Sequence, residues 1–158
     1  FSLSQDLGVP VAEAKAYIDA YFARFTGVKA YMDGVIEKAR QEGRVETMFH
    51  RRRALPEIRA SNFNTRSFGE RVALNMPIQG AAADIIKLAM VKVFRRLKEE
   101  KLQARLIMQV HDELIVECPA GEAEQVRDLL TQEMKGVYAL GVPLTAEAHS
   151  GGNWLEAK

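Results

Sequence analysis

Cysteine is almost absent from this chain. Cys118 stands alone, so no disulfide can close within the chain and no cysteine-based zinc site can form. A reducing cytoplasm is the compartment this usage leads us to expect. Histidine is scarce as well: His50, His111 and His149 are the full set, and none stands at helical ligand spacing from another. That argues against a metal-dependent phosphohydrolase of the His-Asp type, despite the dipeptide His111-Asp112. No G-x-S-x-G stretch supplies a nucleophile elbow for Ser/His/Asp hydrolysis. No G-x-x-x-x-G-K-[ST] loop is present to cradle a phosphate. No apolar run approaches the ~20 residues of a membrane span, no secretory leader is visible, and there are no repeats or low-complexity tracts. The first residue is Phe1 rather than Met, from which we expect a piece of a longer polypeptide.

What remains is a folded, soluble-looking composition. The 158 residues are 47% hydrophobic, enough for a real core and too apolar for a disordered chain. The net charge of +1 conceals an asymmetry. Residues 51–105 hold 13 Lys/Arg against 5 Asp/Glu, residues 1–50 hold 6 against 7, and residues 106–158 hold 3 against 9. A basic middle beside an acidic end suits a polyanion-binding face next to a metal-binding one. A solvated helix surface is the plainer reading of the same charges.

Apolar periodicity predicts a helix over Val11–Phe25, with Val11, Ala14, Ile18, Tyr21, Phe22 and Phe25 on one stripe, broken by Gly27. A second helix is predicted over Val28–Arg40, with Val28, Tyr31, Met32, Val35, Ile36 and Ala39 aligned, stopped by Gly43. Together they read as a helical hairpin. Arg44–Phe49 and Arg53–Ile58 read as short strands around the basic triplet Arg51-Arg52-Arg53. A long helical region runs from Phe63 to about Glu99, with a kink or interruption expected at Pro77 and Gly80. Ile85, Leu88, Ala89 and Phe94 are expected on its apolar face. Arg105–Val110 and Leu114–Cys118 form a predicted β-hairpin, Ala120–Tyr138 another amphipathic helix, and Leu144–His149 a last strand before Gly151-Gly152 and Trp154. Strands interleaved with helices around a hairpin predict an α+β fold, with a palm-like antiparallel sheet backed by helices.

Two constellations carry the chemistry. The first is LIMQVHDELIVECP, Leu106–Pro119, where His111-Asp112-Glu113 interrupts two apolar runs. Burying an unpaired carboxylate is costly, so a hairpin tip is where such groups can meet solvent, metal or substrate. Hard oxygen ligands there suit Mg²⁺ or Mn²⁺. Asp112 is the stronger candidate ligand, because neighbours in an extended strand point to opposite faces and Glu113 cannot join it without a turn. An ordinary polar turn is the bland alternative. The second is Arg71, Asn75 and Gln79 at i, i+4 and i+8, three hydrogen-bond donors along one helical face, with Val72, Leu74 and Ile78 expected on the core side. The minor groove of a duplex shows acceptors at every base pair, so this row suits a check of duplex shape without sequence reading. A row of core-edge hydrogen bonds would look the same. Asp84 falls on the apolar helix and reads as a buried hydrogen-bonding residue. Asp6, within Ser4-Gln5-Asp6, reads as part of a helix start.

In combination, RSFGERVALNMPIQGAAADIIKLAM (Arg66–Met90) followed by LIMQVHDELIVE (Leu106–Glu117) closely resembles the family-A DNA polymerases, the bacterial DNA polymerase I type. SLSQDLGVPVAEAKAYIDAYFARFTGVKAYM, ETMFHRRRALPEI and the closing NWLEAK match the same family in the same order, so the resemblance covers essentially the whole chain. It implies that residues 1–43 are the end of the fingers and residues 44–158 most of the palm, with QVHDE as the palm's carboxylate motif. By resemblance, Asp112 is a catalytic metal ligand, Glu113 its acidic catalytic neighbour, and His111 a contact to the primer terminus. Arg71, Asn75 and Gln79 contact the primer–template minor groove, and Arg51, Arg52 and Arg53 lie near the duplex backbone. Ala81 and Ala54 depart from the Thr/Ser and the aromatic residue usual at those places.

The implied cofactor is Mg²⁺ (or Mn²⁺), two ions in the complete enzyme. The implied partners are primer–template DNA, deoxynucleoside triphosphates and the N-terminal part of the same polymerase; no membrane is implied. The implied setting is the bacterial cytoplasm. The nucleotide-gripping fingers helix, the other metal-binding Asp of the palm, the thumb and any exonuclease domain have no match in these residues. We therefore expect a DNA-directed DNA polymerase fragment, inactive alone. A non-catalytic DNA-binding palm module and a split-polymerase subunit needing an upstream piece are the alternatives.

Overall fold

The computed structural model describes residues 2–157. It is a mixed fold of helices and two small antiparallel ladders, divided into two compact units, with the division of the chain falling between Ile78 and Gln79.

The first unit opens with helix α1 (Ser2–Leu7) and helix α2 (Val11–Arg24), the latter entered through Pro10. Asp6 therefore falls late in α1 rather than at a helix start. Phe25 leaves helical geometry (φ −109°, ψ 62°) and ends α2. Helix α3 (Thr26–Glu42) begins at the next residue, so Gly27 lies inside its first turn rather than breaking the chain. Gly43, at φ 70°, ends α3 as expected, because only glycine adopts that left-handed geometry freely. Its N–H donates to the Ala39 carbonyl at 2.8 Å. Arg59 then caps the carbonyls of Arg40, at 2.7 Å, and Gln41.

The apolar stripes of α2 and α3 follow helical period, yet only Ala14 and Ala39 are buried. Val11, Ile18, Tyr21, Phe25, Val28 and Tyr31 are exposed. Periodicity reports that a face is apolar; it does not report what covers it.

Strands β1 (Arg44–Glu46) and β2 (Arg52–Ala54) pair antiparallel in the register Val45↔Arg53. Both are shorter than the sequence suggests. Thr47 turns the chain after β1: its buried hydroxyl oxygen accepts from the Phe49 and Arg51 N–H groups, each at 3.2 Å. Pro56 has no N–H for a ladder, and Pro56–Arg59 forms a 3₁₀ turn in place of a strand. The unit's core is Ala39, Val45, Leu55, Ile58 and Ala73, with Val35, Val72 and Met76 packed against it.

Helix α4 spans Phe63–Glu99. Asn62 Oδ1 caps its start by accepting from the Thr65 N–H at 3.1 Å. At Pro77 and Gly80, where a kink or interruption is expected, α4 is not interrupted and continues through both. Proline's fixed φ is itself helical, so the cost falls on one lost hydrogen bond and local crowding rather than on dihedral geometry. Ile78, expected in the core, is 61% exposed, whereas Val72 packs on the core as expected.

In the second unit, α4 buries Ile86, Ala89, Val93 and Leu97. Of the four residues expected on that face only Ala89 is buried; Ile85 is half-buried, and Leu88 and Phe94 are exposed. The buried stripe is thus rotated by about one residue, or ~100°. Strands β3 (Arg105–Val110) and β4 (Glu113–Glu117) form the predicted hairpin. A 3₁₀ turn at Ala120–Glu122 precedes helix α5, Ala123–Lys135, which is shorter at both ends than expected. Val93, Leu97, Ala104, Val126 and Leu129 form the core here. Lys92 Nζ donates to the carbonyls of Gly136 (3.0 Å) and Val137 (3.1 Å), closing the C-terminal end of α5. Residues 144–149 form no strand, so the last predicted strand is absent among the described residues. The described strands make two separate two-stranded ladders, one in each unit, instead of a single sheet.

Candidate nucleic-acid interface

The β3–β4 hairpin sets His111 and Asp112 as its two-residue turn, between the paired residues Val110 and Glu113. His111 sits at φ 52°. At the first central position of a tight hairpin turn that geometry is usually left to glycine, and it costs a side-chain-bearing residue about 1–2 kcal/mol. Histidine is among the residues that tolerate it best. Gln109 Nε2 donates to the His111 carbonyl at 2.6 Å and braces the turn. Nothing in the sequence pattern singled Gln109 out for this.

Leu114 and Val116 pack on the second core. By strand alternation Glu113 then lies on the outer face of β4, while Asp112 is carried by the turn. Both carboxylates are exposed, and neither makes a hydrogen bond or ion pair with a described residue. The strands beside the tip are themselves open rather than buried: Ile107, at an irregularity between Leu106 and Met108, is 55% exposed. Two exposed carboxylates supply hard oxygen atoms that fit Mg²⁺ or Mn²⁺ in part. Among the described residues no three His, Cys, Asp or Glu side chains converge, so a complete coordination shell would draw on groups beyond the tip.

Helix α4 carries Arg71, Asn75 and Gln79, all exposed. Successive members stand ~6 Å apart along the axis. None makes a side-chain hydrogen bond to a described residue. Asp84 is buried on the same helix, as expected.

The basic triplet divides between different settings. Arg52 and Arg53 are in β2, while Arg51 ends the loop before it. Arg52 Nε donates to Glu46 Oε2 at 2.7 Å, and His50 Nδ1 lies 2.7 Å from Glu46 Oε1. Those two contacts, His50 first, hold the Glu46 carboxyl at about 2, well below its ordinary value. A carboxyl lowered by folding stabilises the native state above its ordinary pKa of 4.5, and that contribution is lost as pH falls through about 2. Denaturation of wild type and Glu46→Gln across pH 2–7 is expected to show the variant less stable at pH 6 and the difference closing below pH 3. A constant difference would show that the Glu46 charge is not its source.

Cys118 is half-buried at the end of the hairpin. Burial, and then the negative charge of Glu122, push its thiol up, so the thiolate needed for reactivity is scarce.

A family model described as "DNA polymerase family A" matches residues 1–156. The chain belongs to DNA polymerase family A. Its family-A relatives include DNA polymerase I of Geobacillus stearothermophilus, 51% identical over 158 residues. DNA polymerase I of Bacillus subtilis (strain 168) is likewise 51% identical over 158 residues. Each alignment takes in 100% of this chain and 18% of the relative's length. Among solved structures, the POL domain of Pol1 from M. smegmatis, in complex with DNA primer-template and dNTP, superposes with a TM-score of 0.93. It is 43% identical, and the match covers 99% of this chain and 28% of that one. No helix among the described residues is long and apolar enough to cross a membrane.

Proposed function

We propose that this chain is the end of the fingers (residues 1–43) and most of the palm (residues 44–158) of a bacterial DNA-directed DNA polymerase that works in replication and repair. The single observation that carries the reading is the family-A match across 1–156. The reaction is attack of a primer 3′-hydroxyl on the α-phosphate of a deoxynucleoside triphosphate, with release of pyrophosphate.

Asp112 would hold a divalent metal, with ligands from outside this chain, and Glu113 would stand beside it. Such ions, two in the complete enzyme, supply charge stabilisation for the attacking and leaving oxygens. The residues of this chain then do the positioning. His111 faces the primer terminus from a braced turn. Arg71, Asn75 and Gln79 offer donors to the minor groove, whose acceptors are nearly the same for every correct pair. The stretch Arg51–Arg53, at the end of a loop and the start of β2, lies near the sugar–phosphate backbone, where a contact fixes register without reading sequence.

The 158-residue chain alone is expected to show no extension. The test is a chimera in which it replaces the aligned segment of the Bacillus subtilis polymerase; Mg²⁺-dependent primer extension is expected. A folded chimera that binds duplex and extends nothing would favour a non-catalytic DNA-binding module instead. In that chimera Gln79→Ala is expected to slow extension about 10- to 100-fold, the cost of about 1–3 kcal/mol of lost hydrogen bonding. Matched and mismatched ends should differ in their response, with little dependence on base sequence. A preference for particular base pairs would argue against shape checking in the groove.

A further inference from the structure

The arginines between Arg40 and Arg71 are mostly committed to partners within the first unit. Arg40 pairs with Glu70, and Arg44 with Glu42. Arg59 is spent on the end of α3 and Arg66 on the carbonyls of Ala60 and Ser61. Arg52 is held by Glu46, its direct cross-strand partner in the ladder. Arg53 differs. It is exposed, stands opposite Val45 and has no ion pair or hydrogen bond to a described side chain.

Alternation along β2 sends Arg52 and Arg53 to opposite faces; Arg53 shares the face of Val45 yet is itself exposed, so only one of the two arginines is directed at a given phosphate. On the Arg52 side the phosphates would also meet Glu46, which remains anionic at neutral pH and would repel them.

We propose that Arg53 makes the phosphate contact within the basic triplet and that Glu46 is a positioning residue that withholds Arg52 from the duplex. The proposal rests on the polymerase reading and divides the work inside one of its contact surfaces. An arginine with all its N–H donors open can take a phosphate bidentately, whereas one already on a carboxylate must first give up that contact.

The experiment is an anisotropy titration of the 158-residue chain with a labelled primer–template duplex at several KCl concentrations. Each phosphate contact adds about 0.9 to the slope of log Kobs against log salt. Arg53→Ala is expected to lower the slope by about one, and Arg52→Ala to leave it unchanged. Glu46→Gln releases Arg52 and is expected to raise the slope and tighten binding severalfold at low salt. Thermal melts accompany each variant, so that loss of fold is not read as loss of contact. Equal loss from Arg52→Ala and Arg53→Ala, or no tightening in a folded Glu46→Gln chain, overturns the division of labour while leaving the polymerase reading intact. No duplex affinity in the wild-type chain overturns the Arg53 contact, whereas the polymerase reading stands or falls with the chimera.

Discussion

Asp112→Ala in the polymerase chimera is expected to slow primer extension about a thousandfold or more, while duplex affinity stays within a few fold. Removing one hard-oxygen ligand forfeits several kcal/mol of charge stabilisation, and each ~1.4 kcal/mol is a factor of ten in rate. The fold should hardly notice. The Asp112 side chain is exposed in a two-residue turn and partners no described residue; substitutions at such places stay within about 0.5 kcal/mol. Two readouts separate the roles. Single-turnover extension reports the chemistry, and Mn²⁺ titration followed by electron paramagnetic resonance reports the ion directly. An Asp112→Ala chimera that turns over normally, or binds Mn²⁺ as wild type does, refutes the assignment.

The largest effect on stability is expected at Gly69. A Cβ added there would lie 2.7 Å from the Ile58 nitrogen and 2.9 Å from both the Ile58 Cα and the Glu57 carbonyl carbon. All three are backbone atoms, so no side chain can swing aside. Gly69 is the point where α4 rests on the 3₁₀ turn that carries Ile58, and Ile58 and Leu55 are among the most fully buried side chains. Alanine is the better helix former by about 1 kcal/mol, but separating two backbones around a filled core costs about 1–3 kcal/mol or more. The clash should win, with Gly69→Ala lowering the melting temperature by several degrees. Gly34 is the control. It lies inside α3 with nothing within 4 Å of its added Cβ, so Gly34→Ala is expected to be neutral or to stabilise by up to about 1 kcal/mol. Urea unfolding of both variants decides the matter; a Gly69→Ala chain as stable as Gly34→Ala would show that the approach of the two backbones is not limiting.

The hairpin and the helices were legible because their signals are local. Two apolar runs around His111-Asp112 specify a turn, Gly43 specifies a stop, and the 3.6-residue period specifies α2, α3 and α4. Two departures share one cause. Leu144–His149 is expected to form a strand and does not, and the apolar face of α4 is expected to include Leu88 and Phe94, which are exposed. Each depends on what lies across from the residue, not on its neighbours in sequence. The Glu46–Arg52 pairing was invisible for the same reason, since it needs the Val45↔Arg53 register before either charge has a partner.

By itself, the sequence determined the family, the helical segments, the position of the carboxylate turn and the row Arg71, Asn75 and Gln79. These follow from residue order and short-range periodicity, which survive without knowledge of packing. Only the tertiary structure decided which face of α4 is buried, why Gly69 must lack a side chain, how His111 is held in a left-handed turn, and which arginine of the triplet stays free. Those features are set by contacts between segments distant in the chain, and close packing and hydrogen-bond pairing exist only once the segments have met.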